Sequence, residues 1–132
     1  MSEIFLPWPD SGLLPNKRLH WAKKAKLVKA YREECSYLTY YGLGTQLLLE
    51  LRAAAANGSR IALFVDFFRP DRRKRDEDNI MASFKAGIDG IADGLRIDDS
   101  KFKYIPFVRD EVISGGKVRV RFSVLPGGSI DK

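Results

Sequence analysis

Residues Arg69–Ser100 read R-P-D-R-R-K-R-D-E-D-N-I-M-A-S-F-K-A-G-I-D-G-I-A-D-G-L-R-I-D-D-S. The stretch begins with basic residues crowded among acidic ones and ends on a pair of aspartates. Between these charged ends, large apolar side chains recur at steps of three, four and three, at Met81, Phe84, Ile88 and Ile91. This spacing predicts one amphipathic helix over residues 78–93, with Gly94 as its C-terminal glycine.

The segments on either side of this helix are typical of β-strands. Residues Arg60–Phe68 (R-I-A-L-F-V-D-F-F) are apolar on both faces apart from Asp66. Such a run is typical of a strand that is buried on both faces, and it predicts a central strand. Residues Phe102–Arg109 predict a further strand, and Pro106 within it indicates a sheet edge, since proline cannot donate to a ladder.

The other segments complete the set of predicted elements. Residues 3–8 predict a short strand that ends at prolines, and residues 18–41 predict an amphipathic helix with a basic side. Residues 46–56 contain strong helix formers and predict a second helix. Residues 114–117, Ser-Gly-Gly-Lys, are a hairpin turn signal, and residues 118–124 alternate between apolar and polar side chains, which predicts a final strand.

We therefore expect an α/β protein of the α+β type, with elements in the order β-α-(α)-β-α-β-β. A small mixed sheet of about four strands should pack against two or three helices. The chain has 132 residues, which is enough for one domain to bury a core. We expect a single domain over residues 1–125 and a disordered tail over residues 126–132.

The composition limits the functional class. No apolar run approaches the roughly 20 residues of a membrane span, and the N-terminus lacks the pattern of a secretory signal. These features predict a cytoplasmic protein with no membrane partner. The lone cysteine, Cys35, lies on the apolar stripe of a predicted helix, so we expect a small buried hydrophobic residue rather than a nucleophile.

A net charge of +6 and a pI of about 9.5 favour a polyanionic partner, because Lys and Arg release counterions when they contact phosphates. Trp21 and His20 lie among the cations of the first helix, and aromatic rings in such a setting can stack on bases. A solvated helix surface is the alternative interpretation. The candidate DNA-binding residues are Arg72, Arg73, Lys74, Arg75, Lys17, Arg18, Lys23, Lys24, Arg119 and Arg121.

The aspartates are candidate metal ligands. Mg²⁺ prefers hard oxygen ligands and usually takes one or two carboxylates, with water and phosphate oxygens filling its octahedron. Asp76 and Asp78 are two residues apart directly after the basic run, and Asp99 follows the helix. A meeting of the three near the sheet would form such a site. The alternative is structural, because aspartates also cap helices and form turns.

The run P-D-R-R-K-R-D-E-D-N, the following helix and I-D-D-S together closely resemble the RusA-type Holliday junction resolvases. The opening L-P-W-P-D-S and the closing Gly-Gly turn agree, so that the resemblance extends from about Phe5 to Val124. It implies a small α/β homodimer that cuts four-way DNA junctions with Mg²⁺, or with Mn²⁺ in its place. The acidic triad of that family falls on Asp76, Asp78 and Asp99.

The resemblance also suggests roles for the neighbouring residues. Asp98 is an adjacent carboxylate, assigned as a helper or a turn former rather than as the primary ligand. Asn79 would hold the helix start or orient a ligand. The family's catalytic lysine would fall at Ala82, so this chain departs from the pattern there. Lys85 lies one helical turn further on, and we hypothesise that it substitutes, with a surface lysine as the alternative.

The implied reaction is hydrolysis of a phosphodiester by a metal-dependent endodeoxyribonuclease that leaves 5′-phosphate ends. A twofold dimer would make paired symmetric nicks in a junction during recombination and repair. Two alternatives remain open. The chain could be a nuclease for other branched DNA, such as flaps or forks, or a non-catalytic DNA-binding protein in which the acids only cap a helix.

Overall fold

A computed structural model describes residues 2–15 and 17–126 of the chain. Within these residues four strands form one mixed sheet, and four α-helices accompany it. The predicted disordered tail lies outside the described residues from position 127 onward. The strands are β1 (Glu3–Leu6), β2 (Ile61–Arg69), β3 (Phe102–Val112) and β4 (Lys117–Val124), and the helices are α1 (Trp21–Leu43), α2 (Thr45–Ala56), α3 (Glu77–Ser83) and α4 (Lys85–Leu95).

The sheet has the strand order β1-β4-β2-β3. Strand β2 pairs in parallel with β3 and antiparallel with β4, and β1 pairs antiparallel with β4. The α+β class, the mixed sheet and the order of elements are therefore confirmed. Strand β2 is central as predicted, and β3, which contains Pro106, lies at an edge of the sheet.

The predicted hairpin between β3 and β4 is wrong, because β2 lies between these two strands. Strand β3 runs past the end of β2, and the backbone N–H of Ile113 donates to the carbonyl oxygen of Arg69 at 3.0 Å. The chain then turns at Gly115 and Gly116, with φ angles of 82° and 75°, which glycine adopts without strain. Ser114–Lys117 does form a turn, but a turn alone does not fix which strands pair.

The predicted helix over residues 78–93 is interrupted at Phe84, so that α3 and α4 are separate helices. Phe84 is fully buried, and its ring makes edge-on contacts with Phe67 (centroid distance 5.5 Å) and Tyr31 (6.3 Å). Just before the break, the Ser83 hydroxyl donates to the carbonyl oxygen of Ile80 at 2.7 Å. The helix therefore breaks where the ring of Phe84 packs into the core, although the apolar spacing in the sequence is continuous across this position.

From the sequence we expected Gly94 to end the helix, but it does not end α4. The helix continues to Leu95, and Arg96 takes the left-handed conformation with φ 57°. Gly94 instead faces α1, where an added Cβ would lie 2.6 Å from the carbonyl oxygen of Ser36. A Cβ added at Gly90, one turn earlier, would lie even closer to the carbonyl oxygen of Arg32. The two glycines therefore allow close contact between α1 and α4.

Cys35 is completely buried, as predicted. Burial raises the pKa of its thiol to about 12. Since the thiolate is the reactive form, the folded chain at pH 8 should react with a thiol reagent such as DTNB about 10³-fold more slowly than the chain unfolded in guanidinium. The chain has one cysteine, so the absorbance change reports this residue alone. Rapid labelling of the folded protein would contradict the buried position.

No helix within residues 2–15 and 17–126 combines the length and the apolar character that a transmembrane span requires.

Candidate functional site

Asp76 lies at the end of the loop that follows β2, and it caps the first turn of α3. Its Oδ1 accepts hydrogen bonds from the backbone N–H groups of Asp78 (2.8 Å) and Asn79 (3.3 Å). This is ordinary capping geometry, so part of the acidic motif has a structural role. Within the described residues both bonds end on Oδ1, which leaves Oδ2 available to another ligand. Asp78 is exposed on the same turn.

Asp98 and Asp99 lie at the far end of the connection from β2 to β3, beside the short 3₁₀ turn Asp99–Lys101. Asp98 Oδ2 accepts a hydrogen bond from the backbone N–H of Ser100 at 3.0 Å. Hydrogen bonding to Ser100 holds the pKa of Asp98 below its usual range. Asp98 therefore caps this turn, while Asp99 is exposed.

The topology separates the two groups of aspartates. Strands β2 and β3 are parallel, so α3 and α4 must carry the chain from one end of the sheet back to the other. Asp76 follows the C-terminal end of β2, whereas Asp99 precedes Phe102, which pairs with Ile61 at the N-terminal end. The nine residues of β2 span about 30 Å.

A single chain consequently does not assemble the expected triad. In the part of the chain that the structure describes, no group of three His, Cys, Asp or Glu side chains is placed to hold a metal ion. Asp76 and Asp78 are neighbours on one helical turn, but Asp99 is remote from both. The expectation that these three carboxylates meet within one chain does not fit this arrangement. Their roles as metal ligands remain predictions.

Lys85 is the first residue of α4, and its side chain is 79% exposed. Its Nζ lies 3.6 Å from Oδ1 of Asp89, one turn along the same helix. The argument that Lys85 continues the helical stripe of Asp78 is weakened, because the helix breaks between them at Phe84. A catalytic role for Lys85 remains a prediction, while Ala82 is exposed on α3.

The arginine-rich loop between β2 and α3 contains three exposed cations and one partly buried arginine. Arg72, Arg73 and Lys74 are exposed. Arg75 is partly buried, with 18% of its side chain exposed, and its Nη1 lies 2.8 Å from Oδ1 of Asp71. Hydrogen bonding to Arg75 is the main reason why the pKa of Asp71 is lowered. The loop is therefore a cationic surface with one anchored guanidinium.

The N-terminal basic residues surround the start of α1. Lys17, Arg18 and Lys23 are exposed, whereas Lys24 donates from Nζ to the carbonyl oxygen of Leu14 at 3.1 Å. Trp21 is 78% exposed beside them. This surface offers an aromatic ring among cations, as the sequence predicted.

Arg119 and Arg121, two of the predicted DNA contacts, are paired with a buried carboxylate, and their role in DNA binding remains a prediction. Asp66, on β2, is only 1% exposed. Its Oδ2 lies 3.0 Å from Nη2 of Arg119 and 3.1 Å from Nη2 of Arg121, and its Oδ1 lies 2.8 Å from Nε of Arg109. Three guanidinium charges against one carboxylate leave a net charge of +2 on these four residues.

This cluster, formed by Asp66 with its three arginines, was missed at the sequence level although two signals were present. Asp66 is the one charged residue inside an apolar strand, and Arg119 and Arg121 alternate along β4 on the same side. Each guanidinium also lies over an aromatic ring. The pairs are Arg109 with Phe107 (4.5 Å), Arg119 with Phe68 (5.3 Å) and Arg121 with Phe64 (5.7 Å).

Asp66→Ala should lower the free energy of unfolding by about 3 kcal/mol, because three arginines lose the carboxylate that they share. The guanidinium groups are about one-third exposed, so water recovers part of the loss. Thermal denaturation should show a fall in Tm of roughly 10 °C. Asp110→Ala, at an exposed position on β3, is the control and should leave Tm unchanged. Equal Tm values for both variants would contradict a stabilising role for the cluster.

Asp76 also lines a pocket of about 440 Å³ at the C-terminal end of β2. Arg73 and Arg75 from the basic loop, and Asn79 from α3, share its lining. Carboxylate, guanidinium and amide groups therefore converge on one concave surface. The site that the structure assembles consists of Asp76 and Asp78 beside this pocket, with Asp99 elsewhere.

The fold and the site define an α+β protein with a mixed four-stranded sheet and an acidic and basic site at one end of it. No protein-family model matches the chain. It is 37% identical over 118 residues to a protein of Xylella fastidiosa (strain Temecula1 / ATCC 700964) described as uncharacterized, covering 89% of this chain and 73% of that protein. The chain belongs to the same family as this Xylella protein.

Proposed function

We propose that this protein is a magnesium-dependent endonuclease that cuts branched DNA, with four-way junctions as its substrate. The likeness of P-D-R-R-K-R-D-E-D-N and I-D-D-S to the RusA-type resolvases supports the proposal. So does the observed mixed sheet, because that resemblance implied a small α/β protein. The reaction is hydrolysis of a phosphodiester to a 5′-phosphate, and its setting is DNA recombination and repair in the cytoplasm.

The observation that carries the proposal is the position of Asp76 beside Arg73 and Arg75. Carboxylates alone repel a phosphodiester, whereas arginines form charge-assisted hydrogen bonds with its oxygens. Asp76 and both arginines line the same pocket. A DNA strand held by the loop would therefore place a phosphate against Asp76 and the neighbouring Asp78.

The available oxygens fit magnesium. Asp76 Oδ2 and the exposed Asp78 carboxylate supply two hard ligands, the number that Mg²⁺ commonly takes from a protein that also binds phosphate. When bound there, Mg²⁺ or Mn²⁺ would activate water for in-line attack and stabilise charge on the leaving oxygen. The capped turn of α3 would hold the carboxylate of Asp76 in place, and Asn79 would hold the helix start.

A homodimer would bring Asp99 to the site. Because Asp99 and Asp76 lie at opposite ends of the sheet, Asp99 of one copy would reach Asp76 and Asp78 of the other only across a twofold interface. Two such sites would act on strands of like polarity in a junction and produce paired symmetric nicks. Asp98 would cap the turn beside Asp99.

The DNA-binding surface would consist of the exposed cations on the loop and at the start of α1. Arg72, Arg73 and Lys74 are exposed shortly before Asp76 in the chain, and Lys17, Arg18 and Lys23 extend the basic surface. Arg119 and Arg121 would contribute through the net positive charge that remains beside Asp66. Because these contacts would be made to phosphates, binding should weaken steeply with salt.

One observation favours a second candidate, a non-catalytic DNA-binding protein. Asp76 and Asp98 both cap helical turns, which gives two of the acids a structural role without any metal. In that case the basic surface would bind DNA and the carboxylates would only shape the fold. A nuclease for flaps or forks would use the same carboxylates as a junction resolvase.

A nicking assay on a mobile four-way junction separates these candidates. The wild-type protein should cut the junction in Mg²⁺ and should be inactive in excess chelator. Flap and fork substrates of matched sequence test which kind of branched DNA the protein cuts. Junction binding without cleavage in Mg²⁺ or Mn²⁺ would favour the non-catalytic candidate.

A further inference from the structure

The pocket beside Asp76 has an apolar interior and a charged rim. Trp8, Leu14, Pro70 and Ile80 contribute apolar walls, and Arg73 and Arg75 lie in the lining with Asp76. Its volume of about 440 Å³ lies within the range of pockets that hold a small organic group. A flat aromatic group that carries a negative charge would match both the walls and the rim.

The aromatic wall of the pocket is fixed by packing. The ring of Trp8 makes an edge-on contact with Phe67, with a centroid distance of 6.3 Å and an interplanar angle of 89°. Behind it, Gly116 approaches so closely that an added Cβ would lie 2.7 Å from Cβ and Cγ of Trp8. Asp10 Oδ1 accepts a hydrogen bond from the backbone N–H of Gly12 at 2.7 Å and so shapes the adjoining turn.

The cationic part of the rim is partly oriented before any ligand binds. Arg75 Nη1 lies 2.8 Å from Asp71 Oδ1 and donates to the carbonyl oxygen of Arg73 at 3.1 Å. Arg73 has 76% of its side chain exposed, and its Nη2 lies 3.8 Å from Oδ2 of Asp71, so its guanidinium is held less closely than that of Arg75. One guanidinium is therefore held at the pocket while the other can adapt.

We propose that this pocket receives a single unstacked base from the DNA strand that is cut, with the adjoining phosphate on the arginines. This inference rests on the proposed function and deepens it. A base must leave the duplex stack to enter a pocket, and the cost is lowest where stacking is already interrupted, as at a branch point. Stacking on Trp8 would then hold the scissile strand in register with Asp76.

A large side chain at position 11, in place of Ser11, would block the pocket. Ser11 is exposed, it begins the 3₁₀ turn Ser11–Leu13 and it lines the pocket. Ser11→Phe should slow cleavage of an intact junction by about tenfold or more, because the new ring occupies the space of the base. Thr45→Phe, at an exposed position at the start of α2, is the matched control and should cleave normally.

A second junction tests whether the pocket binds a base. In this junction, abasic sites replace the two nucleotides that flank the cut. Without a base to insert, Ser11→Phe should cut this junction within about twofold of the wild-type rate on the same junction. Rescue of this kind supports the proposal. An equal defect on intact and abasic junctions, or wild-type cleavage of the intact junction by a folded Ser11→Phe, would overturn it.

A binding measurement tests whether a base enters the pocket independently of whether the protein cuts DNA. The chain has two tryptophans, so in a Trp21→Phe background the emission reports Trp8 alone. The intact junction in chelator should quench Trp8, and the abasic junction should quench it less. Quenching by a protein that nicks no DNA supports the pocket and contradicts the nuclease. If the protein nicks DNA but Trp8 emission is equal on both junctions, the proposal of a base-binding pocket is wrong and the proposed nuclease activity is supported.

Discussion

Asp76→Asn should reduce the rate of junction nicking by at least about 10³-fold while leaving the fold intact. The substitution removes the negative charge that a metal ion requires, and metal stabilisation of the transition state is worth several kcal/mol. Asparagine is as good an N-cap as aspartate, so the hydrogen bonds that Oδ1 accepts at the start of α3 can persist. Single-turnover nicking at saturating Mg²⁺ measures the effect.

Two comparisons make this result specific. Glu77→Gln removes an exposed carboxylate from the same helical turn, and it should nick at the wild-type rate with an unchanged Tm. Lys85→Ala in the same assay tests whether this lysine replaces the one expected at Ala82. Wild-type turnover by Lys85→Ala would contradict its catalytic role. Wild-type nicking by Asp76→Asn would contradict the metal site itself.

The central strand and the alternating final strand were predictable because their patterns record burial directly. Strand β2 lies between β4 and β3, and its side chains on both faces are buried apart from those of Phe64 and Arg69, which are partly exposed. Strand β4 alternates because Val118, Val120 and Phe122 face the core. Patterns of this kind depend only on neighbours at fixed steps along the chain.

Strand pairing and helix ends were less predictable, because both depend on residues distant in sequence. Gly94 has the local signature of a C-terminal glycine, yet its role is to let α1 approach. The turn at Gly115 and Gly116 has the signature of a hairpin, yet β2 occupies the place between the strands that it joins. Local patterns identify a turn or a stop, but they do not identify the contacts made across it.

The candidate site, like the fold, could be predicted from the sequence only where its residues are close together in the chain. Asp76 and Asp78 are two residues apart, so their proximity follows from the sequence alone. The distance from Asp76 to Asp99 depends instead on whether the strands around them are parallel. The sequence marked Asp66 as unusual in its strand, but its arginine partners lie more than 40 residues away and only the fold brings them together.

If Asp99 acts at the site of a second copy, two inactive variants should restore activity when they form a mixed dimer. Asp76→Asn and Asp99→Asn should each be inactive as homodimers. In the heterodimer, one site combines the intact Asp76 of one chain with the intact Asp99 of the other, and the second site contains both substitutions. Co-expressed chains with different tags, purified through both tags, should therefore nick junctions at about half the wild-type rate.

The alternative arrangement gives the opposite result. If each site takes all its aspartates from one chain, both sites of the heterodimer carry one substitution and activity stays at the level of the homodimers. Full activity of the Asp99→Asn homodimer would show that Asp76 and Asp78 suffice as protein ligands, which Mg²⁺ permits. A tagged heterodimer of two wild-type chains controls for the tags. Because Asp76 follows the C-terminal end of β2 and Asp99 precedes Phe102, which pairs with the N-terminal end of β2, we expect restoration.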